Sequence, residues 1–334
     1  MMGRRNEGYG SLMPAGSAAV WIVIGRVVVA MTFFAACTAD SPTETAWVER
    51  ASMEIARSEI PAAVIGETIY VPGGLVLTTQ GAGVAASVER YQSDTDTWDS
   101  VADMPAPRHH SMSVAVDGLV YLLGGFGDAF DPWATAWVFE PQPGGWGEIA
   151  DLPFAVGAGA AIEIDGVIYV VGGVPNGTSL YAYDPRADTW ETLASMTQPR
   201  EHTAAVAFDG DLWVLGGRWE EAMLNTVEIF DTDAGSWSSG PSMQEARSGF
   251  GATVLDDSIY VAGGEVFDQS NGFVATVLDT VERFDGDSWI FTAPLPRPLH
   301  GVPMVTVGDS IYLLSGSIEA AAANNTGEVW SLQP

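Results

Sequence analysis

The chain alternates short apolar runs with turn-forming residues, and one arrangement recurs six times. An apolar run with an aromatic second residue ends in two small residues: IYVPGG (69–74), VYLLGG (120–125), IYVVGG (168–173), LWVLGG (212–217), IYVAGG (259–264) and IYLLSG (311–316). The first small residues stand at 73, 124, 172, 216, 263 and 315, so the period is 44 to 52 residues. Ahead of each run lies an acidic or glycine turn, as in Val116-Asp117-Gly118, Ile164-Asp165-Gly166 and Phe208-Asp209-Gly210. Such turns join two antiparallel strands tightly. After each run comes a strand ending in an aromatic: VERY (88–91), WVF (137–139), YAY (181–183), EIF (228–230), VERF (281–284) and EVW (328–330). A polar turn and a tryptophan follow in five copies, at Trp98, Trp146, Trp190, Trp237 and Trp289. Each copy therefore predicts four short strands, a unit that buries its apolar faces by stacking on its neighbours.

The double glycine, the aromatic and the tryptophan after turns such as DTDTW (94–98) and PRADTW (185–190) resemble the repeats of the kelch family. The resemblance covers about residues 46–334. It implies an all-β fold, a six-bladed kelch β-propeller with four-stranded blades. No tryptophan follows EVW, but Trp47 stands at the other end of the repeat region. Residues near Trp47 are expected to supply the outer strand of the last blade, so that pairing of the N- and C-terminal strands closes the ring and removes an exposed edge. Two departures, Ser315 for the first glycine and Gly144-Gly145 before Trp146, are compatible with this pattern.

Composition changes the picture in two ways. The 334 residues carry a formal net charge of -30, with 13 arginines and no lysine, which argues against nucleic acid as a partner. The single cysteine, Cys37, excludes an intrachain disulfide. Arg4, Arg5 and Arg26 precede an apolar run, VVVAMTFFAA (27–36), that ends directly at Cys37. Phe34-Ala35-Ala36-Cys37 resembles the lipobox of bacterial lipoproteins, although Phe34 is an untypical first residue. The expectation is a signal peptide over 1–36, lipidation of Cys37, a polar tether over 37–45 and a propeller over 46–334, anchored at the cell envelope. Plain secretion and an uncleaved membrane anchor are the alternatives, Arg26 being costly in a membrane span. Translation from Met13 would give a more compact signal.

Candidate chemistry gathers in the loops that lead into each innermost strand: MEIAR (53–57), MPAPR (104–108), LPFAV (152–156), MTQPR (196–200), MQEAR (243–247) and LPRPL (295–299). Four end in arginine, at Arg57, Arg108, Arg200 and Arg247, and all four histidines, His109, His110, His202 and His300, lie within two residues of this position. The arginines either hold the loops through an acid or carbonyl or meet a ligand on the rim. Arg218-Trp219 and the loops FGDAFDPW (126–133) and EVFDQSNGF (265–273) open on the same rim, where arginine, aromatics and carboxylates suit a sugar or peptide. His109, His110 and His202 could meet across the channel, but the sequence does not fix that geometry. Asp94-Thr95-Asp96 and its counterparts lack the further ligands of a calcium loop, so neither metal nor cofactor is expected.

There is no G-x-S-x-G elbow, H-E-x-x-H pair or phosphate loop, and no catalytic residue is assigned. The resemblance to copper-containing galactose oxidases fails because their chemistry needs a cysteine within the domain. The leading expectation is a monomeric, non-catalytic module that binds a protein or glycan at the envelope. A carbohydrate-active enzyme similar to the sialic acid mutarotases, with Glu201, Glu220 or Glu265 beside Arg200, Arg218 or Arg247, is one alternative. A scaffold in an envelope complex is the other.

Overall fold

A computed structural model describes residues 46–79, 81–220, 222–268, 274–320 and 324–334, together with two short strands nearer the N-terminus. The chain falls into two units, Met1–Glu44 and Thr45–Pro334. In the first, Val23–Ile24 pairs antiparallel with Val27–Val28. Cys37, the expected cleavage site and the tether lie outside the described residues. No helix among the described residues is long and apolar enough to cross a membrane.

Among its described residues the second unit is all-β and contains six four-stranded antiparallel sheets. In chain order, the first combines Ala63–Ile65, Thr68–Pro72, Val88–Gln92 and Thr97–Val101. The second combines Met112–Val116, Leu119–Leu123, Ala136–Glu140 and Gly145–Ile149. The third and fourth repeat the plan from Ala160–Ile164 and Ala204–Phe208, and the fifth from Gly251–Leu255. The sixth is made of Met304–Val307, Ser310–Leu314 and Val329–Leu332, with Val48–Arg50 as its fourth strand. That strand pairs Val48 with Ser331, Glu49 with Trp330 and Arg50 with Val329.

The burial of each strand follows its sequence. After a half-buried first residue, the second strands, such as Leu119–Leu123 and Asp211–Leu215, are continuous apolar runs buried on both faces. The turns before them adopt the left-handed conformation that Asp-Gly pairs favour, with φ of 51° and 79° at Asp117 and Gly118. Hydrophobic cores lie between successive sheets. Another core joins the fifth and sixth sheets around Trp47, Leu313 and Leu332, and a further one joins the sixth to the first through Val307, Tyr312, Ile69 and Tyr91.

Six tryptophans tie each outer strand to the preceding unit. The indole N–H of Trp98 donates to the Ala51 carbonyl at 2.7 Å, and that of Trp190 to Ala150 at 2.8 Å. Trp146, Trp237 and Trp289 do the same to Ala102, Ala194 and Pro241. Trp47 donates to Ala293 at 3.3 Å, across 246 residues of sequence.

The double glycines permit close approach. Gly172 has a φ of +68°, and a Cβ there would stand 2.8 Å from the Arg200 carbonyl oxygen. Ser315 occupies the equivalent strained position at φ 54°. Its hydroxyl lies 2.6 Å from the Arg57 carbonyl, a hydrogen bond that glycine could not make.

Candidate functional site

The four loop arginines are drawn away from any ligand. Arg57, Arg108, Arg200 and Arg247 are 0% exposed. Each sends Nη1 to the carbonyl of the first glycine 16 residues later: Gly73 at 2.8 Å, Gly124 at 2.9 Å, Gly216 at 2.8 Å and Gly263 at 2.7 Å. Arg57, Arg200 and Arg247 also pair with Glu89, Glu228 and Glu282. Arg108 instead lies over the Trp137 ring, 3.5 Å from its centroid. Where Val156 and Leu299 replace arginine, Tyr181 and Trp330 stand at the position of the glutamate. The expectation of a ligand-facing arginine rim therefore gives way to internal struts that hold the lead-in loops. Guanidiniums desolvated this completely are held by the carbonyl and hydroxyl oxygens that their Nη atoms meet and, in three of the four, by a carboxylate.

Two residues beyond each of these positions stands a residue in the left-handed region: Glu59, His110, Ala158, His202, Gly249 and Gly301, with φ between 47° and 63°. They are joined by successive backbone hydrogen bonds. The N–H of His110 donates to Glu59 (2.9 Å), Ala158 to His110 (3.0 Å), His202 to Ala158 (2.7 Å), Gly249 to His202 (2.9 Å), Gly301 to Gly249 (2.7 Å) and Glu59 to Gly301 (2.9 Å). The series returns to its starting residue. Glycine suits this backbone, whereas a side chain there carries strain.

The Glu59, His110 and His202 side chains line two cavities. The smaller, about 100 Å³, also touches Ala158, Gly249 and Gly301. The larger, about 550 Å³, is set between the residues that follow the double glycines. Leu75, Phe126, Phe130 and Val174 form an apolar wall, and Glu201, Arg218, Glu265 and His300 form a charged one. Phe130 is 59% exposed at its edge.

Hydrogen bonding on the charged wall is dense. Arg218 donates through Nε to Glu201 and through Nη1 to Glu265, each at 2.7 Å, and its guanidinium lies 4.8 Å from the Phe267 centroid. Glu201 also meets His202 Nδ1 at 2.7 Å. His110 Nε2 lies 3.0 Å from His202 Nε2 and 3.3 Å from Glu59 Oε2. His300 Nε2 meets the Glu319 carbonyl at 2.7 Å, leaving its Nδ1 3.6 Å from carboxylate oxygens of both Glu59 and Glu265.

These contacts set the charges. Burial opposes ionisation of Glu59, but His110, His300 and His202 outweigh it and hold its carboxyl well below the usual range. Glu201 is likewise lowered, to about 2, because His202 and Arg218 offset its burial. Burial pushes His110 down to about 3, despite the charge of Glu59. Burial also works against protonation of His300, yet the nearby carboxylates of Glu59 and Glu265 raise it.

Among the residues that the sequence singles out, the cavity thus brings together His110, His202, Arg218, His300, Glu201 and Glu265. His109 is buried behind it, with Nε2 on the Gly127 carbonyl, and Trp219 lies against Gly177. Glu220 does not line it. Sequence reasoning misses Glu59. Its signal is internal: aligned on the lead-in loops, Glu59 and the two histidines occupy a position that is alanine or glycine in the other three copies.

The chain is similar to known proteins over most of its length. The Kelch motif model matches residues 56–105, 158–197, 199–244 and 246–296. Kelch-like protein terF of Aspergillus terreus is 28% identical over 94% of this chain and 73% of its own. Kelch repeat and BTB domain-containing protein 12 of Homo sapiens is 32% identical over 29% of this chain, and that match spans only 19% of the human protein. In three dimensions the chain is similar to the solved structure of YjhT, with a TM-score of 0.73 at 15% identity over 83% of this chain and 95% of the other. That likeness is one of fold. Together with the six sheets and their recurring glycines and tryptophans, the motif matches show that this chain belongs to the kelch-repeat family.

Proposed function

We propose that this is an exported, lipid-anchored kelch propeller that binds a glycan in the larger cavity. Six blades closed into one ring are supported by three cyclic features: the cores between neighbouring sheets, the indole bonds ending at Trp47, and the six backbone bonds from Glu59 back to Glu59. The binding reading rests on one observation, the two-walled cavity. Its volume of about 550 Å³ falls within the range typical of small-molecule sites. An aromatic wall accepts the C–H faces of a sugar ring, and the carboxylates and arginine opposite are hydrogen-bond partners for hydroxyls.

Electrostatics favours a neutral sugar. The carboxylates of Glu59, Glu201 and Glu265 surround one guanidinium, and Arg218 is already committed to two of them. An acidic sugar, as the mutarotase-like reading requires, would have to displace one of those pairs. On a glycan array the full chain should retain neutral oligosaccharides, and Arg218→Ala or Phe126→Ala should weaken retention at least about tenfold, the equivalent of about 1.4 kcal/mol. Equal retention by both variants would place the glycan elsewhere.

Export rests on the sequence alone, on the apolar run that stops at Cys37. Expressed in a bacterium, the chain should incorporate labelled fatty acid, and Cys37→Ser should abolish the label. Undiminished labelling of that variant would sink the anchor.

A further inference from the structure

We propose that Glu59, His110 and His202 form a binding site for one divalent transition-metal ion of the zinc class, at the base of the larger cavity. The site is independent of the glycan reading.

His109 Nε2 faces the Gly127 carbonyl at 3.1 Å, an acceptor, so this nitrogen carries the proton. In the neutral ring, His109 Nδ1 is then an acceptor. It faces His110 Nδ1 in close contact, so His110 Nδ1 is the donor and His110 Nε2 presents a lone pair. His202 Nδ1 faces the Glu201 carboxylate at 2.7 Å and must donate, which leaves His202 Nε2 with a lone pair as well. These two nitrogens lie 3.0 Å apart, and Glu59 Oε2, also an acceptor, is 3.3 Å from one and 4.0 Å from the other. No imidazole proton lies between these three acceptors, and Arg218 Nη2 reaches His202 Nε2 only at 3.4 Å, a long contact, so a cation among them stabilises the arrangement.

The spacing fits a metal. With metal–nitrogen and metal–oxygen distances of about 2.0–2.2 Å, tetrahedral donor atoms stand about 3.3 Å apart. The two imidazole nitrogens must part by about 0.3 Å, and the Glu59–His202 pair, at 4.0 Å, must close by about 0.7 Å to reach that spacing. Two imidazoles and one carboxylate suit zinc or a neighbouring first-row ion, not calcium, which takes oxygen ligands. The supports are of the kind metal sites use: Glu201 fixes the His202 tautomer, and His109, itself fixed by Gly127, fixes that of His110. All three ligands sit in the left-handed backbone of the hydrogen-bonded series, so their Cα positions are set by the fold. The other oxygen of Glu59 faces His300. A coordination position remains on the cavity side, because all three residues line that cavity.

The experiment uses the full chain, stripped with a chelator and dialysed against zinc, with bound metal read by elemental analysis. One zinc per chain is expected for the parent, and a cobalt-loaded sample should show the visible bands of a low-symmetry cobalt site. His202→Gly and His110→Gly should retain less than about a tenth of the metal. They should fold, because Gly249 and Gly301 occupy the same backbone position in other copies. Glu201→Gln, which leaves all three ligands in place, should weaken zinc binding about 10- to 100-fold. Absence of bound zinc in the parent would overturn the proposal and indicate a proton shared by the two imidazoles. So would equal zinc in parent and glycine variants, which would assign the metal to the acidic surface. If either glycine variant fails to fold, unchanged affinity in Glu201→Gln is the overturning result.

Discussion

Replacing Arg247 with methionine should lower the stability of the folded chain by about 3–5 kcal/mol, the usual consequence of removing one partner of a buried ion pair. Arg247 is fully buried and donates to the Gly263 and Thr280 carbonyls, to Thr280 Oγ1 and to the Glu282 and Glu245 carboxylates. Glu282 is also fully buried. Without the guanidinium it keeps the backbone N–H groups of Gln244 (2.6 Å) and Glu245 (3.2 Å) but loses its counter-charge. The chain itself contains the apolar solution, since the equivalent pairs are Val156 with Tyr181 and Leu299 with Trp330. Arg247→Leu combined with Glu282→Trp should therefore recover most of the loss, and urea unfolding midpoints would show it. A double variant as unstable as Arg247→Met would mean that the carbonyl bonds, not the paired charge, dominate.

The second large effect concerns the strand Val48–Arg50. Trp47→Ala should destabilise the fold by about 3–5 kcal/mol, as expected for truncating a buried tryptophan. Trp47 is 9% exposed, packs in the core shared by the fifth and sixth sheets, and bonds to Ala293. Deleting residues 46–50 should be worse, because it leaves Val329–Leu332 as an unpaired edge next to that core. The expected result is aggregation or loss of a single cooperative transition, read by size-exclusion chromatography and urea unfolding. A monomeric deletion variant with the parent's midpoint would contradict the role given to this strand.

The sheets were legible because the repeat carries its own alignment: turn, apolar run, glycines, aromatic and tryptophan each map to one strand or one bend. Even the unusual fourth strand of the last sheet has a sequence mark in Trp47. The arginines were harder. Their position near the rim is clear, but whether such a side chain faces solvent or the blade depends on the residue two strands on. The glutamates in VERY, EIF and VERF and their replacement in the copies without arginine carry that information, visible only when both positions are compared across repeats. The cavity was the least legible part. Glu59, His110 and His202 are far apart in sequence and meet only because the backbone series returns on itself. Their functional signal is that they occupy a left-handed position that glycine would fill with less strain.

The central claim is that the two-walled cavity takes a neutral sugar. A thermal-shift titration of the full chain with neutral sugars, acidic sugars and cell-wall fragments tests it most directly. A ligand at 100 times its dissociation constant should add about 2.7 kcal/mol of stability. The expected result is a rise in melting temperature with a neutral sugar that disappears in Arg218→Ala. A flat response to every sugar, or a rise that survives Arg218→Ala unchanged, would contradict the claim.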